Sequence, residues 1–151
     1  MEEGRRRVSA TAGDAGRQQG PVARLGFQPG SVVQELGWDE DVDNDLRKEI
    51  ESIIGSPLVD EEHGDVVDAV VLWWRDDQGD LVDALVDALT DLADGGTVHL
   101  FSPKVGREGH VDPADIADAA PTAGLATTTT LALGDMWGAT KLVAPKSQPR
   151  R

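Results

Sequence analysis

The sequence predicts an α/β fold, with a mostly parallel sheet covered by helices on both faces. Three observations lead there. Val-rich runs alternate along the chain with amphipathic stretches, the order that builds parallel sheets through helical crossovers. The run DAVVLWW at residues 68–74 is almost continuously apolar, as expected of a strand covered on both sides. Residues 80–93 set Leu81, Leu85, Leu89 and Leu92 on one helical stripe, with Asp83, Asp87 and Asp91 on the other side.

The length of 151 residues suits one domain. Residues 1–22 lack hydrophobic periodicity and read as a disordered basic arm; residues 146–151 read as a disordered basic tail. The folded domain is expected over 23–145. Net charge is -14, yet residues 25–140 hold 25 acids against five basic residues. A body this acidic repels phosphates, so no nucleic acid is expected on it. The basic ends are read as solubilising; contact with RNA or an anionic surface is their functional alternative. The absence of Cys rules out disulfides and thiolate metal sites and fits a reducing compartment. There is no apolar run of about 18 residues, so no membrane span is expected. The arginines of the arm are not followed by the apolar stretch of a secretory signal.

The elements follow in order. Gln28-Pro29-Gly30 is a turn signal. Residues 31–36 form the first strand, which Gly37 ends. Asp41 or Asp43 then caps a helix whose stripe is Leu46, Ile50, Ile53 and Ile54, closed by Gly55. Residues 56–60 make a short possible strand, and residues 68–74 the central one. A polar turn at 75–79 leads to the helix over 80–93, stopped by Asp94-Gly95-Gly96. Residues 97–102 form a strand, and 103–110 a loop. Asp112 as N-cap, Pro113 at the first helical position and Asp115 at N3 open a third helix, ended by the 121–125 segment. Strands at 126–133 and 140–144 close the chain with no helix between them, so one is expected to be antiparallel. The whole is a single Rossmann-like domain.

LGFQPGSVVQELGWDEDVDNDLRKEI, VDAVVLWWRDDQGDLVDALVDALTDLADGG and SPKVGREGHVDPADIADAAPTAGL resemble a family of small acidic actinobacterial proteins known as a domain of unknown function. The resemblance covers residues 25–145 and implies a cytosolic protein; it brings no activity or catalytic residue. A second resemblance concerns fold. PGSVVQELG at 29–37, and the helix ending in Ala-Gly-Leu before two final strands, are similar to S-adenosylmethionine-dependent methyltransferases. Those proteins set an acid and then a glycine-rich loop after the first strand. Glu35 and Gly37 match the acid and the first glycine, while Asp39 and Asp41 stand at the second and third. Glycines there let backbone N–H groups approach a ligand; aspartates add bulk and negative charge. The segment between the first helix and DAVVLWW is also too short for a full methyltransferase core. The resemblance thus implies a shortened fold without intact cofactor binding.

Candidate site residues lie at the carboxyl edge of the sheet, where open α/β sheets bind ligands. They are Trp38, Asp39 and Asp41 after the first strand, Trp74 and Arg75 after the central one, and Lys104, Arg107 and His110 in the PKVGREGH loop. Trp73 and Trp74 must face opposite sides of the sheet. The acids at 39–45 fit no EF-hand spacing, since Asn44 stands where Gly is needed and Ile50 where Glu is needed. They read as helix capping, and no metal is assigned. No nucleophile elbow or phosphate-binding loop occurs. The expectation is a cytosolic, non-enzymatic interaction or regulatory protein with an unidentified protein partner. The alternative is a divergent enzyme or small-ligand sensor using the same edge. No catalytic residue or cofactor is assigned.

Overall fold

The structure, a computed structural model, describes residues 20–144. It contains a 3-10 helix at Pro21–Leu25, strands β1 (Val33–Leu36), β2 (Val67–Trp73), β3 (Leu92–Pro103), β4 (Ala126–Leu133) and β5 (Trp137–Val143), and helices α1 (Asn44–Ile54), α2 (Leu81–Ala88) and α3 (Pro113–Thr122).

The five strands form one sheet in the order β1-β2-β3-β5-β4. β1 and β3 each pair parallel with β2; β5 pairs antiparallel with both β3 and β4. Four strands therefore run one way and β5 runs against them. The expected mostly parallel sheet holds for strand direction but not for pairing, which is two parallel and two antiparallel. The cause is the β4–β5 connection, too short for a crossover helix.

Helices cover both faces. Leu46, Ile50 and Ile54 of α1, with Val22 and Leu25 of the 3-10 helix, pack on Val33, Val71, Trp73, Phe101 and Trp137. Leu85 and Ala88 of α2 and Ile116, Ala119 and Ala120 of α3 pack on Val70, Leu72, Trp74, Val98 and Leu142. The two tryptophans lie in different layers, as strand alternation requires.

Sequence capping signals hold. The Asp43 carboxylate accepts from Asp45 N and Leu46 N at the start of α1, and Gly55 at φ +86° closes it. Asp112 caps α3 as expected, accepting from Ala114 N; Asp80, placed in the helix itself by the sequence, is the cap of α2.

Several boundaries differ. Val22 is fully buried, so the fold begins inside the stretch assigned to the arm; residues 1–19 of that arm and the tail at 146–151 lie outside the described residues. α2 stops at Ala88 rather than Ala93. Asp87 and Asp91 face the negative end of the helix dipole there, and Leu92 pairs with Val67 instead. Asp94-Gly95-Gly96 consequently sits within β3, where the register shifts between Val67 and Ala69. Residues 56–60 make only one bridge, Gln34 to Val59, and β5 starts at Trp137, three residues early.

Candidate functional site

The carboxyl ends of β1 and β2 meet at one close approach. Gly37 has φ +78°, and a Cβ there would stand 2.3 Å from the Trp73 carbonyl oxygen. Only glycine satisfies both the left-handed backbone and that contact. The Gly37 carbonyl in turn accepts from Arg75 Nη1 at 2.7 Å.

Arg75 is the centre of the site, although only 7% of its surface is exposed. Its guanidinium donates to both Asp41 oxygens, with Nε 3.1 Å from Oδ2. Nη1 also reaches the Trp73 carbonyl at 3.2 Å, and Gln78 Oε1 accepts from the Arg75 backbone N at 3.0 Å. The guanidinium lies 5.5 Å from the Trp137 ring centroid, a cation–π distance. The Arg75 hydrogen bonds hold the Asp41 carboxyl below its ordinary pKa, against partial desolvation.

Glu35 and Arg47 form a second charged pair. Glu35 is buried on β1 and accepts from Arg47 Nε at 2.6 Å, Arg47 Nη2 at 2.9 Å and Trp73 Nε1 at 2.9 Å. The Glu35 hydrogen bond raises the Arg47 pKa. Trp73 stands edge-on to Phe101 at 5.0 Å and to Trp137 at 4.9 Å between centroids. Trp73 thus joins both pairs, its indole N–H donating to Glu35 and its backbone carbonyl accepting from Arg75.

Above Arg75 opens a cleft of about 500 Å³ that Asp39, Asp41, Gln78 and Arg107 help to line. Asp77 and Glu108 add two carboxylates. Four of the sequence candidates, Asp39, Asp41, Arg75 and Arg107, are therefore brought together. The other four stand apart. Trp38, 55% exposed, borders a neighbouring hollow with Arg47 and Glu61. Trp74 is buried on the opposite face. Lys104 Nζ donates to Gly134 O at 3.2 Å, and His110 Nδ1 lies 2.9 Å from Pro103 O. These last two contacts shape the loop rather than the cleft wall. Arg107 also donates to Met136 O at 2.9 Å.

The acidic turn is spent locally: Asp39 Oδ1 accepts from Glu40 N, Asp43 caps α1, and Asp41 meets Arg75. Among the described residues no three His, Asp or Glu side chains gather as metal ligands, and no helix is long and apolar enough to cross a membrane. Asp77, Gln78 and Glu108 fall within the segments expected at that edge, 74–78 and 103–110; the Arg47 pair was not anticipated. A charged residue inside a buried strand, Glu35, was the available signal, because such a group needs a partner.

The model of the family described as "Protein of unknown function (DUF3052)" matches residues 22–146. Uncharacterized proteins of Mycobacterium bovis and Mycobacterium tuberculosis are each 52% identical over 125 residues, covering 83% of this chain and 78% of theirs. Among solved structures, the pyocyanin biosynthetic protein PhzM aligns with TM-score 0.57 at 13% identity, over 82% of this chain and 53% of that one. A SAM-dependent methyltransferase from Aquifex aeolicus aligns with TM-score 0.51 at 10% identity, over 81% and 86%. Magnesium protoporphyrin IX methyltransferase from Synechocystis PCC 6803, with bound SAH, gives 0.51 at 12%, over 82% and 77%. At these identities the likeness is one of fold.

Proposed function

We propose, from the premise that this chain belongs to the DUF3052 family, that its methyltransferase-like sheet frames a cytosolic, non-enzymatic interaction or regulatory protein rather than a methyltransferase. The binding surface is the carboxyl edge around the Arg75 cleft. The observation that carries this is the Asp41–Arg75 pair. The residues where the resemblance implies S-adenosylmethionine do not fit that cofactor. Both Glu35 oxygens are taken by Arg47 and Trp73. The space beside Gly37 is filled by the Trp73 carbonyl. Asp41 stands where a third glycine would let the backbone approach a ligand, and its carboxylate is held by a buried guanidinium. A ligand entering there must part that pair and leave Arg75 short of an acceptor, a cost of about 1–3 kcal/mol.

What remains open is the outer cleft, lined by Asp39, Asp77, Glu108 and Arg107. Mixed charge on a preformed surface suits recognition of a polar protein surface, where charge pattern sets specificity and on-rate. A thermal-shift screen with S-adenosylmethionine, nucleotides and divalent metals tests the proposal. A ligand at about a hundred times its Kd adds about 2.7 kcal/mol of stability. The expected result is no shift. A saturable shift with any of them favours the small-ligand sensor or divergent enzyme instead.

A further inference from the structure

A second concavity lies on the other face of the sheet. It is a groove of about 360 Å³ between the outermost strand β1 and helix α2. Its floor carries Leu36 of β1, Leu72 of β2 and Ala84 of α2, with the buried amide of Gln34 beside them. Leu72 is buried in the core, while Leu36 and Ala84 are half-buried against it. β1 is the end of the sheet, so no further strand extends the floor. The charged side chains lining it are Glu61, Asp87 and Asp91, and no lysine or arginine lines it among the described residues. Asp83 continues the row along α2, at the four-residue interval from Asp87 that sets like charges side by side. Each such pair costs a few tenths of a kcal/mol, which an opposing cation offsets.

We propose that this groove docks a basic amphipathic helix of a partner protein. Apolar side chains of the partner rest on Leu36, Leu72 and Ala84, and its lysines or arginines meet Glu61, Asp87 and Asp91. Apolar anchors at helical spacing in a groove are a recurring mode of peptide recognition. Strand addition to β1 is disfavoured, because Val59 already bonds that edge: Glu35 N donates to Val59 O at 2.7 Å and Val59 N to Val33 O at 2.9 Å. Nucleic acid is disfavoured by a carboxylate rim. The proposal is independent of the Arg75 cleft, which lies at the strand ends.

The test is fluorescence anisotropy on the full chain with a short labelled peptide, leucines on one helical face and lysines on the other. Asp87→Lys with Asp91→Lys is expected to weaken binding about tenfold or more, as loss and reversal of close charge pairs does. Asp118→Lys with Asp135→Lys makes the same change in net charge at exposed positions elsewhere and is expected to leave the affinity within about twofold. A peptide with serines for leucines should bind the unaltered protein at least about tenfold more weakly. That arm needs no variant, so it stands if a charge reversal fails to fold. Equal losses for both variants, equal binding of the serine peptide, or no binding at all overturns the proposal.

Discussion

The Arg75 guanidinium clamps the Asp41 carboxylate from a position 34 residues away in the chain, with Nε 3.1 Å from Oδ2. The contact ties the turn after β1 to the end of β2. Because Arg75 is buried and Asp41 is about half exposed, the two partners are unequal. Loss of the carboxylate strands a buried charge; loss of the guanidinium frees an acid that water can solvate.

Asp41→Ala is therefore expected to lower stability by about 1–3 kcal/mol in urea unfolding. Arg75→Lys should cost a similar amount, since an ammonium cannot reproduce a fork that reaches Asp41, Gly37 O and Trp73 O together. Full retention of the urea midpoint in both variants contradicts the clamp.

Gly37→Ala combines a left-handed backbone with a clash against the Trp73 carbonyl. Gly30 offers the control, with φ +86° and nothing within 4 Å of an added Cβ. Gly30→Ala should cost about 1–2 kcal/mol for the backbone alone. Gly37→Ala should cost clearly more, and the difference measures the close approach. Equal losses indicate that β1 and β2 yield at no cost.

Stability should fall with acid through His99. This ring is buried, sits 4.3 Å from Phe27 between centroids, and lies with Nε2 3.0 Å from Thr97 Oγ1. Desolvation, with help from Lys141, lowers its pKa to about 3. The unfolded chain binds this proton near pH 6.5 and the folded one does not. The contribution is complete above pH 6.5 and declines by about 1.4 kcal/mol per pH unit toward pH 3. Asp41, whose pKa is lowered, adds a loss of the same sign below its unfolded value of 3.8. Glu49 opposes both. Burial raises its pKa despite the amides of Gly20, Val22 and Ala23, so its contribution is complete below 4.5 and is lost as pH rises through the raised value. Urea titrations of the wild type and His99→Gln across pH 4–6.5 check this: the variant should show the shallower slope.

Glu35→Gln keeps an acceptor for the Trp73 indole but removes the charge that Arg47 meets. Arg47 is partly exposed and can turn to solvent, so the expected loss is about 1–2 kcal/mol. Tryptophan fluorescence should change with it, because Trp73 donates to the altered group. An unchanged spectrum and midpoint count against the buried pair.

The elements themselves were legible because capping and periodicity are local. Asp43, Asp112 and Gly55 announce helix ends within a few residues. What was not legible depends on distant partners. The end of α2 is set by Leu92 finding Val67, and the start of β5 by Trp137 finding Pro103 and Leu133. The candidate site was half legible for the same reason. Strand ends at 37–41 and 75 converge by topology, whereas Lys104 and His110 are turned to loop carbonyls by a fold that no local pattern encodes. Glu35 is the instructive residue: it matches the acid of a cofactor-binding strand, yet Arg47, twelve residues on, takes its carboxylate.

Isothermal calorimetry of the full chain with S-adenosylmethionine decides whether the crevice is closed to that cofactor. With Asp41 and Arg75 joined and Glu35 spent on Arg47 and Trp73, no saturable heat is predicted at millimolar ligand. A saturable isotherm that Asp41→Ala or Arg75→Met alters contradicts this closure, for the cofactor would then be using the crevice between these side chains.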